Sequence, residues 1–217
     1  WRGNPLWVEY SLAPVDENMP HLKRPSHFQT DWRSVNRVDH EDYTKSGYDR
    51  GHNAPNHAIS MLYGRYGQAD SFLMTNVSPQ KAKLNQQVWQ RLEEIELASF
   101  AKIFGKVWVI TGPIFSENPE RLSSSWRVAI PRAFYKIYVT EETDSKPAFA
   151  LAFVVPQTVT GKEPLSSFIT TIDAIEVQTG LDFLADFDDK IEAHLEGVVE
   201  VAPWNMNAVG KVPARVP

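Results

Sequence analysis

The chain has 217 residues, 42% of them hydrophobic, with a formal net charge of −5 and no cysteine. That length buries one sizeable core and requires no second domain, and the missing thiols exclude disulfides, thiolate nucleophiles and Cys-ligated zinc. The acidity excludes a coat of positive potential, but residues 1–106 hold 13 Lys and Arg against 12 Asp and Glu while residues 107–217 hold 9 against 15, so a site for an anionic substrate belongs in the first half.

The run WVEYSL (7–12) reads as a strand. Residues 13–49 are polar, broken by proline and without periodicity, and read as a long loop. Loops of that length in a compact domain tend to be functional, which makes Lys23, Arg24, Arg33 and Arg37 candidates to line a site; the alternative is a solvated surface segment. In residues 84–104, apolar side chains at 84, 88, 92, 95 and 100 form the stripe of an amphipathic helix, and Gly105 stops it. KVWVITG, WRVAIP, AFYKIYV and AFALAFVVP, separated by Gly, Pro, Ser and charged turns, read as strands of a mostly antiparallel sheet. TTIDAIEVQTG reads as a second helix, capped by Thr170 with Asp173 and closed by Gly180. Apolar runs such as 149–155 are too short to span a bilayer, and no basic stretch precedes an apolar one after Trp1, so no signal peptide is expected here.

The chemistry concentrates in YDRGHNAPNHAIS (48–60). His52 is either a partly buried imidazole satisfied by backbone or a general base. Gly51 admits a backbone approach that a side chain would hinder, Arg50 offers a planar fork for phosphate, and Asp49 sets the local turn or orients the loop. A base beside an anion clamp suggests attack on a phosphoester. Asn76 precedes a Ser-Pro turn, and Asn85 in the first helical turn is either a cap or a ligand. Glu93, eight residues on, lies roughly 80° around an ideal helix axis, so both border one cleft where a hard cation such as Mg2+ is satisfied by few protein oxygens. A zinc clip of His52 and His57 is disfavoured: a spacing of five does not share a helical face, and no HExxH pattern occurs. His57 is read as a packing residue, and NAPNHAIS as the connection leaving the site.

DRGH (49–52), TNVSPQKAKLNQQVWQRLE (75–93) and VWVITGPIF (107–115) together resemble the DNA/RNA non-specific endonucleases, with AFYKIYV, AFVVPQ and IDAIEVQTGLDFL extending the likeness over about residues 5–190. The resemblance implies an α+β fold of the ββα-metal type, in which a mostly antiparallel sheet is flanked by helices and a finger of two short strands and a helix holds the site. It implies one nuclease domain over residues 1–217. By position, His52 matches the general base, Asn85 the direct protein ligand of a hydrated Mg2+ (Mn2+ substituting), and Glu93 the acid that hydrogen-bonds the metal's waters. Arg50 matches a phosphate contact or local brace and joins His52 and Glu93 as catalytic, while Arg24, Asn76 and Asp49 are placed on the substrate side. Two departures stand out. Leu97 occupies a position where relatives often carry Arg, and Arg24 and Arg33 compete for an arginine expected ahead of DRGH, with Arg24 favoured.

The implied reaction is hydrolysis of DNA and RNA to 5′-phosphate products, because contacts to the phosphate backbone carry no sequence information. The implied setting is a secreted or periplasmic bacterial enzyme without a membrane partner, with an inhibitor protein and a monomeric or homodimeric state left open. A binding module with weak activity, or a phosphodiesterase for a non-polymeric substrate, are the rival readings.

Overall fold

The computed structural model describes residues 1–16, 18–143 and 147–210. Five strands, β1 (Val8–Leu12), β4 (Val107–Ile114), β7 (Ala133–Thr140), β8 (Ala150–Pro156) and β9 (Ile169–Thr170), form one sheet in the order β1-β4-β7-β8-β9, every neighbour antiparallel. Alternation along β7 serves two cores at once. Phe134 and Tyr138 face one side of the sheet with Leu151, Phe153 and Val155 of β8, while Tyr135, Ile137 and Val139 face the other with Ala150 and Ala152.

The first core is closed by a helix over residues 84–104 that buries Leu84, Val88, Trp89, Leu92, Ile95 and Phe100. Its path is not uniform: π turns at Leu84–Trp89 and Glu96–Phe100 alternate with α-helical α2 (Gln90–Ile95) and α3 (Ala101–Phe104), and Gly105 ends it at φ +79°. Between this helix and the sheet, Lys136 Nζ bonds Glu96 Oε1 at 2.6 Å and the Tyr10 hydroxyl at 3.1 Å, and both charged side chains are fully buried. The second core is closed by α4 (Ile172–Thr179) and α5 (Asp189–Gly197) through Ile172, Ile175 and Leu195.

The finger consists of β2 (Asp49–His52) paired antiparallel with β3 (Val77–Gln80), joined by α1 (Asn56–Ser71), which the sequence reading did not anticipate. Gly64 at φ +67° kinks α1, and just before it the Tyr63 hydroxyl bonds both the N–H and the C=O of Ser11 on β1, the edge strand of the sheet. The expected strand in WRVAIP forms as β6 (Ser125–Ala129), but it leaves the main sheet and pairs with β5 (Arg121–Leu122). Its Val128 and Leu122 of β5 instead form a third small core with Val38, Tyr43, Met74 and Val77 beneath the finger. The described residues of the long segment 13–48 are irregular as expected, apart from a 3-10 turn at His40–Tyr43 and an isolated bridge between Gln29 and Leu73, and Asp49 already belongs to β2. The second predicted helix begins one residue later than read, because Thr171 rather than Thr170 caps it by accepting the Ala174 N–H, while Gly180 closes it in the left-handed region as expected. Among the described residues no helix is long and apolar enough to cross a membrane.

Candidate active site

Strand β2 lies in step with the helix over 84–104, and three hydrogen bonds fix the register. Asn85 and Gln86 donate their side-chain amides to the same oxygen of Asp49, at 3.0 and 2.8 Å, and the Trp89 indole donates to the carbonyl of His52 at 3.2 Å. An ionised carboxylate can only accept, so Asp49 selects the rotamer of Asn85 that turns its nitrogen inward and leaves Oδ1 as the outward face. Asn85 is therefore not a helix cap; it sits within the first π turn, a distortion that frequently marks functional positions.

His52 is 8% exposed, with Phe28 and Phe72 each 4.9 Å away between ring centroids, and its Nε2 is buried without a hydrogen-bond partner. Burial, and to a lesser degree the nearby Arg24 guanidinium, hold the imidazole down at about 3, so it is neutral at any ordinary pH. Gly51 is required by the same fold: a Cβ there would run into the side chain of Gln80 on β3.

Arg24, His52 and Glu93 meet in one cleft of about 160 Å³, completed by Asn56, His57, Gln90 and Glu94. The Arg24 guanidinium rests 5.0 Å over the Phe72 ring, which supports it beside the imidazole. Arg33, its rival from the sequence, is instead 77% exposed and paired with Asp31 at 2.8 Å. Arg37 lies 5.5 Å over Trp32, and the Lys23 carbonyl is taken by Arg65. Glu93 is pushed up to about 8, chiefly by desolvation and against the pull of Lys136 behind it and of Arg24, with Glu96 adding to the rise.

The remaining residues singled out in the sequence act as braces. Arg50 donates to the His40 carbonyl at 2.6 Å and to Thr44, holding the 3-10 turn under the finger. The Asn76 amide is consumed by main chain: it accepts from Ala54 N–H at 2.9 Å and donates to the carbonyls of Ala54 and Ser71, so it fastens the chain leaving His52 to the end of α1. That geometry suits a positioning role better than contact with substrate. Leu97 is buried in the first core and offers nothing to the cleft.

Sequence reasoning missed Phe28, Phe72, Asn56, Gln90 and Glu94, and it set His57 aside as packing. NAPNHAIS does more than leave the site, because Asn56 and His57 at the start of α1 form one wall of the cleft. Gln90 carried a legible signal: it lies three residues before Glu93 and four before Glu94, the spacings that bring helical side chains together.

The donor set suits a hard divalent cation. It offers an amide oxygen oriented by Asp49 and a carboxylate on the same helix, with no thiolate and with a neutral, desolvated imidazole against the Phe28 and Phe72 rings; Asn85, expected to border one cleft with Glu93, is not among the residues that line it.

Comparison with known proteins yields consistent matches. A family profile described as DNA/RNA non-specific endonuclease matches residues 2–190. A nuclease of Serratia marcescens is 30% identical over 207 residues, 91% of this chain and 74% of that protein. Human mitochondrial endonuclease G is 30% identical over 191 residues, covering 82% and 63%, and the mitochondrial nuclease of Saccharomyces cerevisiae is 29% identical over 201 residues, covering 83% and 60%. The chain thus spans about three-fifths of the length of the human and yeast relatives. In structure it is similar to the nuclease in a crystal structure of an EndoG/EndoGI complex, with a TM-score of 0.74, 26% identity and coverage of 87% and 82%.

Proposed function

We propose that this chain, which belongs to the DNA/RNA non-specific endonuclease family, hydrolyses phosphodiester bonds of DNA and RNA with His52 as general base, a hydrated Mg2+ on Asn85, and 5′-phosphate products. The observation that carries the reading is the single frame of β2 and helix: one end of the four-residue strand holds a neutral imidazole in the cleft with an arginine and a carboxyl group, and the other end holds Asn85, outside the residues that line that cleft.

His52, uncharged, takes the proton of the water that attacks phosphorus. Its low proton affinity in the free protein follows from burial and from Arg24, and a phosphate docked on Arg24 offsets the second cause and makes the imidazole a better base when substrate is present. Arg24 binds the non-bridging phosphate oxygens. Phe28 and Phe72 keep the ring from turning and hold bulk water off its buried side. Asn85 Oδ1 would hold a divalent cation, Mg2+ or Mn2+, and Glu93 would hydrogen-bond its waters; when bound, the ion would supply charge neutralisation at the phosphate and at the departing 3′ oxygen. Every one of these contacts addresses the backbone, so base sequence and the ribose 2′-OH are not read. A secreted or periplasmic location goes with that breadth, since such an enzyme spares its host only when kept apart from host nucleic acid. An inhibitor that covers the cleft is the protein partner the reading admits, by likeness to the EndoG/EndoGI pair.

The test is incubation of supercoiled plasmid and RNA with wild type and His52→Ala in Mg2+, Mn2+ and EDTA. Wild type nicks both polymers only with metal, and His52→Ala is slower by about 10²–10⁴-fold. Intact polymers across all divalent metals refute the reading.

A further inference from the structure

On the face of the sheet opposite the cleft, Asp173 and Glu176 of α4 and Glu196 of α5 bring one carboxylate oxygen each within 4.8 Å of one another. Clustered acids on a surface are common, but Glu196 is not a surface acid: it is 7% exposed, and its Oε1 is buried with no hydrogen-bond partner. A buried carboxylate oxygen without a donor or a cation is destabilising, and native folds seldom leave one so. Glu176 is held in place, its Oε1 accepting the Phe183 N–H at 2.7 Å. The backbone closes the third side, where Gly197, the last residue of α5, lies beside the Asp173 carboxylate.

We propose that Asp173, Glu176 and Glu196 form a second cation site, separate from the catalytic cleft, which takes Ca2+ and clamps α5 onto α4. The chemistry favours Ca2+. The donors are all hard oxygens, Ca2+ accepts six to eight of them in irregular geometry completed by water, and three acids converging on one point supply charge that an octahedral, reluctantly dehydrated Mg2+ uses poorly. The clamp has a structural object: Leu195, adjacent to Glu196, is buried in the second core with Ile172 and Ile175 of α4. Metal held across the two helices ties the outer layer of that core to the sheet.

The experiment is calorimetric titration of metal-stripped protein with CaCl2, paired with thermal melts in Ca2+ and in EDTA, on wild type, Glu196→Gln, Asp173→Asn and Asn85→Ala. Asp173 is exposed, so its variant keeps the test informative if Glu196→Gln folds poorly. We expect a Ca2+ site in wild type that survives Asn85→Ala and weakens by roughly tenfold or more in each acid variant. At Ca2+ about one hundred times Kd, the melting temperature of wild type and Asn85→Ala rises by about 5–10 °C, and that of Glu196→Gln does not move. The proposal is overturned if Ca2+ binds the acid variants as it binds wild type, if binding vanishes with Asn85→Ala, or if wild type takes up none at millimolar concentration. None of those results bears on plasmid cleavage, which tests the other face independently.

Discussion

One oxygen of Asp49 accepts two side-chain amides from the helix, and what it does to Asn85 is to settle which end of that amide faces outward. Asp49→Ala leaves the amide free to rotate and offer N–H where an oxygen is needed. The Mg2+ concentration for half-maximal cleavage should then rise by about 10–100-fold, the usual loss when a group orienting a ligand is removed, with little change in melting temperature. An unchanged Mg2+ requirement contradicts the orienting role. His52 and Glu93 pull the pH dependence of stability in opposite directions. His52 is lowered from 6.5 to about 3, so the unfolded chain binds the extra proton between those values, and stability present above pH 6.5 is lost as pH falls toward 3. Glu93 is raised from 4.5 to about 8, so stability present below pH 4.5 is lost as pH rises toward 8. In metal-free buffer the pair together favours pH 4.5–6.5. Melting curves across pH 6.5–8.5 should therefore fall less steeply for Glu93→Gln than for wild type, and equal slopes would show that Glu93 does not titrate there.

At the scale of elements, the finger depends on a close approach that only glycine permits. In Gly51→Ala the new methyl meets the Gln80 side chain, which must swing away inside a buried hairpin; overpacking of this kind costs about 1–3 kcal/mol. The double variant Gly51→Ala/Gln80→Ala recovers most of it if the clash is the cause, and chemical denaturation of the two proteins decides. The elements legible in the sequence were those whose pattern is local: the apolar stripe of residues 84–104, the strands at 107–114, 133–140 and 150–156, and the Gly180 stop. Those that escaped depend on distant partners. The helix α1 has mixed polarity and a glycine kink, and it is held by what it touches rather than by periodicity. β6 has a strand's composition, but its register belongs to the small core beneath the finger, which no local pattern announces. The same division runs through the site. His52, Asn85 and Glu93 are singled out by spacing and resemblance, and Arg24 is favoured there over Arg33, whereas the partners of the two arginines, Asp31 for Arg33 and the Phe72 ring for Arg24, show only in the fold. The Asp49–Asn85 pair spans 36 residues and likewise shows only in the fold.

The whole molecule is a sheet with a candidate site on each face, and the helix over residues 84–104 is seated on charge. Lys136 lies under that helix with Glu96, Tyr10 and Tyr138 around it, and Trp89 completes the wall with its ring 5.0 Å from Nζ. Lys136→Met strands the Glu96 carboxylate in a dry interior and should destabilise the protein by about 3–5 kcal/mol, while Lys136→Met/Glu96→Leu should regain most of that. Equal losses in both variants, measured by urea unfolding, show that packing rather than the stranded charge is responsible. The Tyr63 hydroxyl on the rim of the sheet has a different reach. By occupying both the N–H and the C=O of Ser11, it imitates one rung of a neighbouring strand along the open border of β1. A single phenol thereby stoppers the ladder: a passing extended peptide, or a second molecule seeking to continue the sheet, meets a bond already made.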